Sequence, residues 1–378
     1  MSRGACARYD GLHREVVRVR KANGMLACVA MAMAFVTAAE AQSAPPKPTG
    51  RWAIVLHGGS GDIERAKVGA QGDANYRAAL AKAVAAGAKV LDRGGSSLDA
   101  VEAAIRVLED DPLFNAARGA VFTAEGKTEL DAAIMDGATL RAGAVASVTH
   151  TRYPITLARS VMEKTPYVFL VGPGADAYSI QAGMEQVSAS YFFTESRWQS
   201  LVKQLEKEGK PVPPRPAGAP PPGPASPTAQ LEEADGTHRY GTVGVVALDR
   251  QGNVAAGTST GGLQGKMPGR VGDSPLIGAG TYASNQSCAV SATGVGEYFI
   301  RYTVAREICA LVQYKGLALQ QAADEILQKR LAPIHGDGGV IAVAPDGQMA
   351  WSFNTSGMFR ARQSEGGPIE LRIYKDEP

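Results

Sequence analysis

The chain has 378 residues, of which 45% are apolar and 20% charged, enough to bury a large core in one big domain or two ordinary ones. Its 39 basic and 37 acidic side chains leave a net charge of +2, and no basic block of the kind that grips phosphates occurs in the body of the chain, which speaks against a nucleic-acid partner. With four cysteines and five histidines, little material is left for a disulfide framework or a metal cluster.

The amino terminus reads separately. Arg14, Arg18, Arg20 and Lys21 are followed by the apolar run Met25 to Ala38 and by the small-x-small triplet Ala39-Glu40-Ala41. This order predicts a signal peptide over residues 1–41, cut near Ala41 and Gln42, and hence a secreted, periplasmic protein. A membrane anchor is the competing reading; the run falls short of the roughly 20 residues that a spanning helix needs. Met25 is an alternative start. Cleavage would remove Cys6 and Cys28, and leave Cys288 and Cys309, each inside an apolar pattern, as buried thiols.

Trp52 to Leu56 is a short apolar run that predicts a buried strand, feeding a glycine turn at HGGSG from His57. Asn75 to Leu91 reads as a helix. A second starts at Ser96, with Asp99 three residues on as capping partner, and Asp110-Asp111-Pro112 ends it. Short strands are expected at Ala120 to Thr123 and Glu129 to Met135. Gly209 to Asp235, rich in proline, reads as an extended, mobile linker. Beyond it, strands are expected over Thr242 to Asp249, Asn253 to Ser259 and Ala283 to Ser291, then helices over Glu297 to Gln313 and Ala318 to Lys329. The last strands are Val340 to Ala344, Met349 to Phe353 and Glu370 to Tyr374. Such alternation predicts a layered α/β (α+β) fold.

His57, His150, His238 and His335 show no metal-ligand spacing, and no nucleophile elbow or phosphate loop with its lysine is present. What remains is a density of glycines and hydroxyls after the linker: GTVGVVALD from Gly241, GTSTGG from Gly257, PGRVGDSPLIGAGTYA from Pro268 and SATGVGE from Ser291. Singly, each is an ordinary turn, surface ion pair or strand. In this order, together with HGGSG, DPLFNAARGAVFT from Asp111 and ELDAAIMDG from Glu129, the chain resembles the plant-type asparaginase/isoaspartyl peptidase group of N-terminal-nucleophile (Ntn) hydrolases, from Trp52 to about Tyr374.

The resemblance implies an αββα sandwich and a precursor that cuts itself between Gly241 and Thr242. The products would be an α subunit (42–241) and a β subunit (242–378) sharing one domain. Thr242 would be the nucleophile, and its freed amine, with a reference pKa of about 8, the base. Thr260 would orient Thr242, and the Thr293 hydroxyl with the Gly294 N–H would form the oxyanion hole. Arg270 and Asp273 would hold the carboxylate and ammonium of an amino-acid head, with Gly296 and Asn115 assisting. A structural sodium ion would sit in the loop Leu108 to Arg118, on carbonyls of Leu108, Glu109, Asp111, Phe114, Ala116 and Arg118; catalysis itself needs no cofactor. Ala117 stands where the family pattern has glycine. The implied substrates are L-asparagine and β-aspartyl dipeptides, and the implied assembly a dimer of cleaved αβ units. A glycosylasparaginase is the alternative; such enzymes carry an acidic residue before the threonine, where this chain has Gly241. An inactive secreted binding protein of the same fold is the reading from another class, and the filled site positions argue against it.

Overall fold

The computed structural model describes residues 50–222 and 239–377. The predicted signal peptide, His238 and the linker's last part, 223–235, lie outside the described residues. The chain opens with β1 (Ala53–Gly61), whose alternation splits its side chains between two cores: Ile54 and Leu56 meet helices, whereas Ala53 and Val55 meet a second sheet. Helices α1 (Arg65–Asp92) and α2 (Ser97–Glu109) follow. Ser96 caps α2, its hydroxyl accepting the Asp99 N–H at 3.1 Å. Next come β2 (Leu130–Asp136), β3 (Ala142–Val148), α3 (Pro154–Lys164), β4 (Phe169–Val171), α4 (Gly172–Gln181), α5 (Ala189–Phe192) and α6 (Glu195–Lys207).

After the linker come β5 (Arg239–Tyr240), β6 (Val243–Leu248), β7 (Val254–Thr260), β8 (Thr281–Ala283), β9 (Ala289–Gly294), α7 (Gly296–Arg301), α8 (Val304–Lys315) and α9 (Leu319–Asp324). Strands β10 (Gly338–Val343), β11 (Met349–Phe353), β12 (Gly357–Ser364) and β13 (Glu370–Tyr374) close the chain. The larger sheet runs β13-β12-β1-β6-β7-β2-β3-β4, with β5 paired to the end of β1, and the smaller runs β11-β10-β9-β8.

Three apolar layers define the sandwich. Leu80, Val84, Val101, Ile105 and Ile155 from α1, α2 and α3 pack on Ile54, Leu56, Val243 and Val245 of the larger sheet. Between the sheets lie Val55, Val246, Val254, Ala256, Ile341, Val343 and Met358. Ile308 of α8 and Ala322 of α9 cover Val290, Ala292 and Val340 on the outer face of the smaller sheet. Each buried aliphatic side chain of the larger kind contributes about 1.5–3 kcal/mol. The order of layers is αββα. Among the described residues no helix is long and apolar enough to cross a membrane.

Several expectations are corrected. Cys288 and Cys309 are not free thiols: they form a disulfide, Cα to Cα 5.4 Å, tying the start of β9 to α8. HGGSG does not leave the strand but completes β1, with an irregularity between His57 and Ser60. Ala120 to Thr123 forms no ladder, only an isolated bridge from Thr123 to Lys266. The single strand expected from Ala283 to Ser291 is a hairpin, β8 and β9 joined by a turn at Ser284 to Ser287. The helix expected from Glu297 to Gln313 breaks at Thr303, which is left-handed (φ 46°), and α9 runs on into a π-helical turn, Glu325–Leu331. Strand β12 was not expected, although it flanks β1. Part of the proline-rich segment also has contacts: Arg215 pairs with Glu195 of α6 and lies over the Phe193 ring at 4.6 Å.

Candidate active site

Alternation and register bring the hydroxyls together. On β6, β7 and β9, the residues that share a face with Val246, Ala256 and Ala289 look into the space between the sheets, and that face also carries Thr258, Thr260, Ser291 and Thr293. The β6–β7 ladder pairs Val243 with Ser259 and Gly244 with Thr258, so the next opposed positions are Thr242 and Thr260. Their hydroxyls are 2.9 Å apart. Thr260 Oγ1 also accepts the Gly262 N–H at 3.0 Å, which leaves its own proton to be aimed at Thr242.

Thr242 and Thr260 open into a recess lined further by Gly262, Leu263, Arg270, Gly272, Asp273, Ser274 and Gly294. Asp273 is buried, and its Oδ2 has no hydrogen-bond partner. Burial pushes its carboxyl up to about 7, opposed by the nearby Arg270 cation and assisted by Glu297 and Asp131. An unpaired buried carboxylate oxygen beside a guanidinium is what an incoming ammonium and carboxylate would satisfy. Gly296 permits this crowding: a β-carbon there would meet Arg270 Nη2, Asp273 N and Asp273 Oδ1, each at 3.0 Å.

Behind the threonine runs a buried relay. His57 Nδ1 donates to the Thr242 carbonyl at 3.0 Å, so its Nε2 accepts from Ser291 Oγ at 3.1 Å. Ser291 in turn meets Thr258 Oγ1 at 2.7 Å, and Thr281 Oγ1 donates to Thr258 at 2.6 Å. Desolvation drives the His57 ring down to about 3, so it stays neutral and holds one tautomer.

Asn115 braces the Gly241–Thr242 junction. Its N–H donates to the Gly241 carbonyl at 3.2 Å, and its own carbonyl accepts the Gly261 N–H at 3.1 Å. The side-chain amide is equally committed, accepting from Val121 N at 2.9 Å and donating to Gly262 O at 2.8 Å. Asn115 follows the tight loop after α2. There Arg118 N–H bonds Glu109 O at 2.9 Å, and Ala117 is left-handed (φ 44°), which accounts for glycine in the family pattern. A β-carbon on Gly119 would lie 2.6 Å from Pro112 O and 2.7 Å from Phe114 O, so these carbonyls converge on a hollow. The Glu109 carboxyl is fully buried with Oε2 unpartnered; burial raises it to about 8, against hydrogen bonds from Ser259 and Ile155 N–H.

A threonine hydroxyl at a Gly-Thr junction, a second threonine against it and an Arg/Asp pair in the same recess agree with the wider comparison. The asparaginase family model matches residues 50–372. The chain belongs to the asparaginase family. The isoaspartyl peptidase of Escherichia coli is 46% identical over 328 residues, which cover 87% of this chain and 98% of that protein. A probable isoaspartyl peptidase/L-asparaginase of Arabidopsis thaliana is 42% identical over 336 residues, 86% of this chain and 100% of its own. The mouse isoaspartyl peptidase/L-asparaginase is 40% identical over 305 residues, 81% and 86% of the two chains.

Of the residues singled out in the sequence, Thr242, Thr260, Arg270, Asp273 and Gly294 line this family member's recess. Gly296 touches its edge, Thr293 directly precedes Gly294 on β9, and Gly241 joins β5 to β6. Asn115 stands behind the recess, its amide turned to the protein. Leu108 and Glu109 end α2, and Asp111, Phe114, Ala116 and Arg118 lie in the loop that follows it. Sequence reasoning missed His57, Ser291, Leu263, Ser274, Glu297 and the buried Lys266, whose Nζ donates to Glu129 O at 2.9 Å. His57 lay in HGGSG, Ser274 in PGRVGDSPLIGAGTYA, and Ser291 and Glu297 in SATGVGE, whereas Leu263 and Lys266 fell outside every motif.

Proposed function

We propose that the chain is a self-processing threonine hydrolase that releases L-aspartate from β-aspartyl peptides and L-asparagine. The observation that carries this reading is the opposed Thr242–Thr260 hydroxyl pair beside the Arg270/Asp273 pair. In processing, Thr242 Oγ attacks the Gly241 carbonyl carbon; the new C–O bond replaces the C–N bond, and the hydroxyl proton passes to the nitrogen. Water then cleaves the ester, leaving a Gly241 carboxylate and a free Thr242 amine. In turnover that amine takes the hydroxyl proton as Oγ attacks the β-amide carbon of the substrate. Thr293 and Gly294 stabilise the oxyanion, the proton goes to the departing ammonia or peptide amine, and water hydrolyses the aspartyl ester. Arg270 and Asp273 select a free α-carboxylate and α-ammonium, which is why the chemistry falls on the β-carbonyl.

The loop 108–118 suits a sodium ion: the convergent Pro112 and Phe114 carbonyls are hard donors, and such an ion would stiffen the segment that carries Asn115. Export to an oxidising compartment is supported by the amino-terminal pattern and the Cys288–Cys309 disulfide. A dimer of αβ units rests on family resemblance.

Intact mass tests the proposal: the purified protein gives two chains that break before Thr242, and Thr242→Ala gives one. Initial rates on L-asparagine, a β-aspartyl dipeptide and a glycosylasparagine then rank the substrates. A Thr242→Ala protein that still cuts itself, or a wild type inert on all three, refutes the reading.

A further inference from the structure

Arg270 does not face the recess with its whole guanidinium. Its Nε lies 3.1 Å from Glu297 Oε1 and its Nη2 3.0 Å from Glu297 Oε2, so one edge of the planar group is fully engaged. The other amine, Nη1, looks toward Gly262 and Gly272 of the recess, where a β-carbon would come within 3.4 and 3.0 Å of it. Arg270 is largely buried and Glu297 about half exposed. The loop backbone is anchored on its own, by Gly269 N–H to Glu129 Oε2 at 2.9 Å and Arg270 N–H to Met267 O at 3.0 Å, so the contact with Glu297 sets the direction of the side chain rather than the position of the loop. From this geometry we infer that Glu297 is a positioning residue for substrate recognition, clamping Arg270 so that its free amine meets the substrate carboxylate. The clamp matters for binding and not for the chemical step, because no atom of Glu297 lines the recess.

Glu297 has a second effect in the same place. The charged groups around the Asp273 carboxylate are Arg270, Glu297 and Asp131, and Glu297 and Asp131 oppose its ionisation. Removing the Glu297 charge therefore lets Asp273 ionise at lower pH, a change that a purely structural role would not produce.

This inference rests on the proposed reaction, and the test separates the two. Glu297→Gln, checked by mass for complete self-cleavage, is assayed with L-asparagine and a β-aspartyl dipeptide across pH. Loss of one ordered, rotamer-rich side chain predicts KM about three- to tenfold higher for both substrates with kcat within about twofold. The acid limb of kcat/KM moves to lower pH and the melting temperature stays unchanged. Glu297→Asp, which keeps the charge but is shorter, restores the pH limb and not KM. Calorimetric binding of L-aspartate to the same variants gives the affinity without turnover, whether or not self-cleavage is complete. A wild type that turns over neither substrate refutes the functional reading. An active wild type beside a Glu297→Gln protein of unchanged KM and aspartate affinity refutes the clamp alone.

Discussion

Replacing Gly241 by alanine puts the processing geometry to a direct test. A β-carbon at Gly241 would lie 2.5 Å from Asn115 Cβ and 3.3 Å from Asn115 N. Carbon atoms rest at about 3.5–4.0 Å, so one side must retreat by about 1 Å. Asn115 is the side that cannot. Its main chain is bonded to Gly241 and Gly261, and its amide to Val121 and Gly262. The displacement therefore falls on Gly241, carrying the carbonyl that the proposed processing attacks away from Thr242 Oγ and lengthening the Asn115 N–H contact. A misplacement of about 1 Å costs about 10²-fold in a step that depends on alignment, or about 2.7 kcal/mol on the barrier. Wild type and Gly241→Ala precursors, synthesised in a cell-free reaction and sampled over time, are followed by the conversion of one band into two. The variant should cut about a hundred times more slowly at an unchanged melting temperature. A variant that cuts within about threefold of wild type removes Asn115 as the brace and with it this account of glycine before the threonine.

Two further outcomes follow from buried groups. Asp273 must be ionised to hold an ammonium, and its carboxyl is raised to about 7 by burial, so in the free enzyme kcat/KM for L-asparagine should fall as pH drops below that value. Initial rates that stay flat down to pH of about 5 would contradict its role. Both disulfide cysteines are fully buried and 21 residues apart in sequence, so Cys288→Ser with Cys309→Ser should lower the unfolding free energy by about 3 kcal/mol. Denaturant midpoints compared with and without reductant measure it, and reductant should leave the double variant unaffected.

The apolar runs of β6 and β7 were legible because burial on both faces writes them as near-continuous valine and alanine. The pairing of Thr242 with Thr260 came from the family resemblance and not from the pattern, since register is set by a ladder and turn that a linear pattern does not display. Strand β12 hid for another reason: Arg360 and Arg362 make GMFRARQS look polar, yet Arg360 is buried, over the rings of Trp351 and Phe353 at 5.0 and 4.7 Å. The turn at Ser284 to Ser287 carried ordinary turn residues, masked by the apolar patterns on either side. The disulfide needed the fold, because only packing of α8 on β9 brings two isolated cysteines within bridging distance. Arg270 and Asp273 were singled out through the family resemblance, and both line the recess. Glu297 was not, since an acidic residue opening a helix is normally an electrostatic convenience.

Strand β1 holds both sides of the Gly241–Thr242 bond, where the proposed cut would fall. Ser60 and Gly61 pair with Tyr240 and Arg239 before it, while Ala53 to His57 pair with Leu248 to Gly244 after it. Were that bond severed as proposed, those ladders would stay in place, and the first occupant of the new catalytic centre would be the carboxylate that the cut creates, facing the amine from which it was parted. The short β5 pairing, two rungs against five, is the weaker tether, and in the proposed processing the old end would have to peel away along it before any outside molecule could enter. The proposed maturation would thus have two clocks, one chemical and one mechanical, and a band on a gel would read only the first.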